Sequence, residues 1–232
     1  MSIFTTMAMF KIKLRNKISI LIVIWLLVNC KPIDYDLPQF HYEYFPIEYN
    51  SSKEYFVTEI SHTSLGKDTS SYFLKEIFSD QFMDSQGDTC YKINRYWKID
   101  SLDDYEIKDV WSVKKTQRIV EVVEENVRFI KLIFPIKDYS FWDGNANNSQ
   151  DEQDYYIENI HENYSLNGYD FDSSINVIQN YSSNLIEYES AKEVYVRDLG
   201  LVYKENLNLN INDGDIFDVN YGTEYVQELI DY

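Results

Sequence analysis

Very little in this chain could brace it covalently or carry acid–base chemistry near neutral pH. Among 232 residues there are two cysteines and three histidines. If Cys30 is modified, Cys90 has no partner within the chain, so an exported fold of this kind must rest on its core. No GxSxG, HExxH, CxxC, P-loop or GxGxxG pattern occurs, and with them go the nucleophile elbow, the zinc pair and the phosphate cradle. Positive charge is also short, with 21 Lys+Arg against 39 Asp+Glu. That balance excludes nucleic acid as a partner, because phosphate binding needs Lys and Arg. Glycine and proline are few, at 7 and 4. The apolar run Ile18–Val28, broken only by Ser19, has eleven residues, whereas a helix crossing a bilayer needs roughly 20.

That short run belongs to an address. Lys11, Lys13, Arg15 and Lys17 precede it and Cys30 follows it, the order of a secretory n-region and h-region. Leu27-Val28-Asn29-Cys30 resembles the lipobox of bacterial lipoproteins, although Asn29 stands where Gly, Ala or Ser is usual. The resemblance makes Cys30 the lipidated residue and residues 1–29 a signal peptide. The other readings are an uncleaved signal anchor and a cleaved, unlipidated export signal. Met7 and Met9 are alternative starts. Acyl chains on Cys30 give membrane attachment, since each buried CH₂ is worth about 0.8 kcal/mol. Cleavage before Cys30 leaves 203 residues with a net charge of −22, which repels anionic headgroups and leaves lipid as the membrane contact. Residues 30–40 form the lipidated cysteine and a charged, proline-bearing tether.

From residue 41 to residue 232 the chain reads as one β-rich domain. Aromatics make up 16% of the whole chain, with 21 tyrosines, which argues against disorder and for strands whose large rings cover a half-wet face. Tyr91, Ile93 and Trp97 alternate with Lys92, Asn94 and Lys98, the period of a strand. Tyr42–Ile60 reads as two extended pieces around Asn50, and Asp84–Asp88 as a hairpin turn. Arg118–Val123 and Val127–Phe134 read as central strands ended by Pro135. Asn167-Gly168 marks a further hairpin, because both turn residues need positive φ. Leu185–Tyr188 and Glu193–Val196 read as strand, with a helix capped by Ser183 or Asn184 as the competitor. These elements predict an all-β, single antiparallel domain of ten to twelve strands, its sheet curled into a barrel or half-open clam to hide its edges.

At these residues a resemblance enters. Tyr44-Phe45-Pro46-Ile47, Asp109-Val110-Trp111, Trp142-Asp143-Gly144-Asn145, Leu199-Gly200-Leu201-Val202-Tyr203-Lys204-Glu205 and Leu229-Ile230-Asp231-Tyr232 make the chain similar to uncharacterised secreted lipoproteins of the Bacteroidota. That family carries no assigned activity. The resemblance implies a lipoprotein of the outer membrane, facing either the periplasm or the outside. Lys31, Asp34 and Asp36 loosely resemble the charged export signal of that group.

Candidate chemistry is sparse. Trp142–Asp154 is the longest polar stretch and reads as a loop. Within it Asp143, Asn145, Asn147, Asp151 and Asp154 stand at places 1, 3, 5, 9 and 12 of a twelve-residue window, the spacing by which an EF-hand loop converges oxygens on Ca²⁺. Gly144 falls at place 2 rather than 6, so a plain solvated loop is the rival reading. His161-Glu162 is a pair on a strand, short of the three or four ligands zinc needs. Cys90 reads as a buried structural thiol. No cofactor is expected and no catalytic residue is assigned. The leading function is a non-catalytic envelope module that binds a protein, glycan or lipid. The alternatives are an envelope hydrolase acting on glycan or ester substrates, and a lipid or lipoprotein carrier with an apolar cavity.

Overall fold

A computed structural model describes residues 39–232. The leader, Cys30, Lys31, Asp34 and Asp36 lie outside the described residues. The first strands are β1 (Ser52–Thr63), β2 (Gly66–Met83), β3 (Thr89–Lys98), β4 (Glu106–Lys115), β5 (Ile119–Glu124) and β6 (Val127–Ile133). The second half holds β7 (Phe141–Asp143), β8 (Asp154–Leu166), β9 (Tyr169–Ser183), β10 (Glu187–Val196), β11 (Gly200–Asn212) and β12 (Asp215–Asp231). All twelve lie in one sheet, in the order β6-β5-β4-β3-β2-β1-β12-β11-β10-β9-β8-β7. Each strand pairs with its chain neighbours, β6 and β7 excepted, and β1 pairs with β12, always antiparallel. The sheet curls into a nearly closed barrel with one unsealed seam, between β6 and β7.

The alternating pattern places the core. On β1, Tyr55 and Val57 are fully buried, and on β9 Phe171, Ser173, Ile175 and Val177 are buried while Asp172 is exposed. β10 is buried on both sides from Glu193 to Val196. Glu193 and Tyr195 face the interior, while Val194 and Val196 join Phe171 in a second cluster against which Tyr164, Leu166 and Tyr169 pack. The tip of the β8–β9 hairpin is tied down there: Asn167 donates to the Leu229 carbonyl and Tyr169 to that of Ile230.

Three strand readings need correction. Tyr42–Tyr49 is not extended. It forms a short 3-10 turn at Tyr42–Tyr44 and plugs one end of the barrel, with Tyr44 fully buried and Phe45 packed against Phe78 and Tyr195. Lys115 fixes this plug by donating to the Tyr42 and Phe45 carbonyls at 2.8 and 2.6 Å. The aromatics that look like a strand serve as a stopper, because an open barrel end needs apolar bulk. Glu187–Val196 is one continuous strand, where the sequence suggested two. Trp142–Asp154 is bounded by strand residues of β7 and β8 rather than being loop throughout.

The seam explains the polar stretch after β7. Ile130 of β6 donates its N–H to the Gly144 carbonyl at 2.9 Å, and Trp142 donates its indole N–H to the Ile130 carbonyl at 2.8 Å. Asn148 donates to the Arg128 carbonyl at 2.8 Å, and Asn147 to Glu121 at 2.7 Å. The two sheet edges are thus stitched by side chains and a loop where strand pairing stops, which blunts the exposed edge.

Candidate functional site

The barrel interior is ionised. Lys131 on β6 lies 2.9 Å from Glu124 of β5 and 2.5 Å from Glu193 of β10. Lys204 on β11 lies 2.8 Å from Glu124 and 3.6 Å from Glu193. Tyr195 donates its hydroxyl to the other Glu193 oxygen at 2.5 Å. This four-charge ring crosses the barrel and ties opposite walls together. Burial pushes the Glu124 carboxyl up, but the Lys131 and Lys204 ammoniums outweigh it and hold it well below the usual carboxylate range. Burial likewise pulls Lys131 down, and Glu124 and Glu193 outweigh it, holding the amine above its ordinary value. Beside the ring, Arg95 lies 3.0 Å from Glu76 and 3.0 Å from Asp109, with its guanidinium 3.5 Å above Trp111.

The charge ring, Tyr195, Glu76 and Trp111 line a cavity whose volume is ≈ 40 Å³. By that measure one water needs about 10–15 Å³, so the space holds about three waters. Its wall includes Lys53, Gln227 and Gly200, all missed at the level of sequence. The sequence signal was faint: Lys131 stands between the buried Ile130 and Leu132, and Glu193 opens the buried run to Val196. Only the across-barrel pairing shows that they meet.

His161 takes part in a different cluster, at the plugged end. A bulge in β8 between Glu158 and Glu162 gives Asn159 and His161 positive φ, 56° and 62°, a conformation uncommon outside glycine. Tyr44 donates to His161 Nδ1 at 2.6 Å, and Arg197 Nη2 lies 3.3 Å from the same nitrogen. A guanidinium can only donate, so Nδ1 accepts and the imidazole is neutral. Ser173 Oγ lies 2.7 Å from the Tyr44 hydroxyl, and the His41 ring is 4.6 Å from that of His161. Glu43 pairs with His41 at 3.0 Å. The cluster pins the N-terminal plug to the barrel. Glu162 is exposed and its carbonyl accepts from Ser174.

Burial, with His41 and Arg197 nearby, pushes the His161 imidazole below its ordinary value of 6.5, against Glu43 and Asp138. The unfolded chain then binds a proton at a pH where the folded one does not. Stability is expected to fall as pH drops through that ordinary value. His161→Gln should flatten the slope of melting temperature against pH in that window; an unchanged slope would remove His161 as its source.

The window proposed for Ca²⁺ is built into the seam clasp. Asp143 Oδ1 accepts from the Asn145 and Gln153 N–H groups, at 2.8 and 3.0 Å. Asn145 donates to the Asp151 carbonyl at 2.7 Å and accepts from Asn148. Asn147 turns to Glu121, while Asp154 pairs across the strands with Asp143. The structure therefore brings Asp143, Asn145 and Asp151 together and sends Asn147 elsewhere. Among the described residues, no group of three or more His, Cys, Asp or Glu is placed to hold a metal ion. Gly144 has its own reason: any side chain there would run into the buried Tyr155 ring. Cys90 is buried, and burial pushes its thiol up, away from the thiolate that nucleophilic chemistry needs.

No protein-family model matches the chain, and no curated protein matches it. Among solved structures, a Bacteroides fragilis protein described as exported and as having a YmcC-like fold aligns with a TM-score of 0.38 and 11% identity. The alignment covers 79% of this chain and 98% of that one.

Proposed function

We propose that the chain is an outer-membrane lipoprotein, held by acyl chains on Cys30, whose barrel is a non-catalytic binding module. The observation that carries this reading is the order of parts. A basic start and a short apolar run end at Leu27-Val28-Asn29-Cys30, only Lys31–Pro38 intervenes, and the described domain opens at Gln39 with its plug. Beyond its buried charge ring the barrel's core is apolar, and its outer face carries polar residues such as Lys92, Asp172 and Asn208. A transmembrane barrel has the reverse arrangement.

The interior favours binding over hydrolysis. Glycoside cleavage needs one carboxyl with a raised pKa, yet in the cavity wall Glu124 is shifted the other way; Asp109, which burial pushes up, is held by Arg95 outside that wall. Ligand pockets run to about 300 Å³ and more; the inner cavity, at ≈ 40 Å³, is too small for a glycan substrate, while the adjoining outer groove, at ≈ 310 Å³, is of ligand size. The inner cavity's size and ionised wall speak against an acyl chain inside the barrel. His161 has Tyr44 as its close partner rather than a carboxylate.

Cys30→Ser is expected to move the protein from the membrane fraction to the soluble fraction. Retention on membranes at the wild-type level would overturn the lipid anchor and leave the leader itself as the attachment.

A further inference from the structure

Two donors lining the inner cavity are left over when the ion pairs are accounted for. Gln227 is 1% exposed, its Oε1 accepts from Tyr225 at 2.7 Å, and its Nε2 has no hydrogen-bond partner among the described residues. An unmet buried donor costs about 1–3 kcal/mol, so something should meet it. Lys53 is the second. Arg95, Lys131 and Lys204 each hold two carboxylates. Lys53 instead donates only to the Leu199 and Leu201 carbonyls, at 3.3 and 3.4 Å. An ammonium has three N–H groups, so one remains. Both side chains line the inner cavity.

Lys53 also stands at a boundary. Together with Pro46 and Phe78 it lines both the inner cavity and an outer groove of ≈ 310 Å³, whose other walls are Glu48, Ser51, Ser52, Asp198, Leu199 and Tyr232, so the body that enters the groove should itself be uncharged. Gly200, with φ of +87°, keeps this neck open: a Cβ there would lie 3.3 Å from Lys53 Nζ and 3.4 Å from Pro46.

We propose that the barrel binds a carboxylic acid, its carboxylate between Lys53 and Gln227 in the inner cavity and its body in the outer groove. This rests on reading the domain as a binding module and names the ligand class. The size fits, since the cavity takes about three water-sized groups and a carboxylate has three heavy atoms. The charge fits, since the glutamates of the cavity wall are already held: Glu124 and Glu193 by Lys131 and Lys204, and Glu76 by Arg95. Phosphate is larger and brings a second negative charge toward those glutamates. Burial pushes Lys53 down to about 8, against the pull of Glu76. Binding of an anion beside it would favour the charged amine.

The test is calorimetric titration of the full chain in detergent with acetate, hexanoate and N-acetylalanylalanine, and with acetamide as the neutral isostere. Acetate is expected to bind and acetamide not. Of the two longer acids, whichever binds more tightly than acetate identifies the body that the groove accepts. Lys53→Met should weaken binding at least tenfold and Gln227→Leu severalfold. Wild-type affinity should decline above about pH 8, as Lys53 loses its proton, and this arm holds even if a variant fails to fold. Equal binding of acetate and acetamide, no binding of any acid, or unchanged affinity in Lys53→Met would overturn the proposal. Membrane attachment through Cys30 is read by fractionation and stands or falls separately.

Discussion

Lys131→Met should cost the domain about 3–5 kcal/mol of stability, the range for removing one partner from a buried ion pair. At roughly 2–4 °C per kcal/mol for a domain of this size, the melting temperature should drop by about 6–20 °C. The cause lies in what is left behind. Glu193 is fully buried, and Lys131 is its nearest cation. Without that ammonium, Glu193 keeps only the Tyr195 hydroxyl and the more distant Lys204. The loss is therefore the desolvation of an unpaired carboxylate rather than missing packing, since methionine has a similar shape. A second variant separates the two: adding Glu193→Gln removes the stranded charge, keeps an acceptor for Tyr195, and should restore part of the stability. Urea unfolding of the single and double variants gives the comparison. A double variant as unstable as the single one would mean that the charge ring contributes through packing alone.

Gly222→Ala should be nearly as damaging, although it adds one methyl group to an edge of the core. Gly222 lies on β12 opposite His62 of β1 and Leu209 of β11, with φ of +142°. A Cβ would overlap the Asn208 carbonyl oxygen and lie 2.8 Å from the Leu209 Cα. Both are backbone atoms of a paired strand, so neither can swing away. Overpacking of this kind costs about 1–3 kcal/mol, and holding a non-glycine residue in that backbone region adds about 1–3 kcal/mol. The register between β11 and β12 shifts just beyond this point, after Asn210, and local amide exchange there should rise in the variant. Protection equal to wild type across β11 and β12 would show that the sheet absorbs the methyl elsewhere. Gly168, where a Cβ meets nothing within 4 Å, serves as the control position on the same sheet, with only its positive φ to lose.

The same two sites show how unevenly the fold was written in the residues. Gly222 sits inside an alternating run, Tyr221–Tyr232, and an isolated glycine in a strand is a known sign of a bulge or a close backbone approach; its presence was legible, its neighbour was not. Lys131 lies within VRFIKLI, which reads as a central strand. A lysine in such a run conflicts with burial, and that conflict was the available sign of an interior charge. Its buried partner Glu193 on β10 is more than sixty residues away, and sequence spacing says nothing of it. Asn167-Gly168 carried its hairpin openly, because the backbone demand there is local. Asp143, Asn145 and Asp151 carried a spacing that suits a cation, yet hydrogen bonds within the loop engage an Asp143 carboxylate oxygen, the Asn145 amides and the Asp151 carbonyl.

By itself the sequence determined the β class, the absence of a disulfide frame and the alternation that separates inner from outer faces. These depend on neighbouring residues only, since strand period and turn chemistry act over two to five positions. Tertiary structure alone decided that Tyr44 and Phe45 stop a barrel end, that the polar stretch after β7 clasps a seam, and that Lys53 and Gln227 look into one cavity. Those facts depend on the curl of the sheet, which brings together residues far apart in the chain through burial and charge pairing, and no local pattern records where the curl will close.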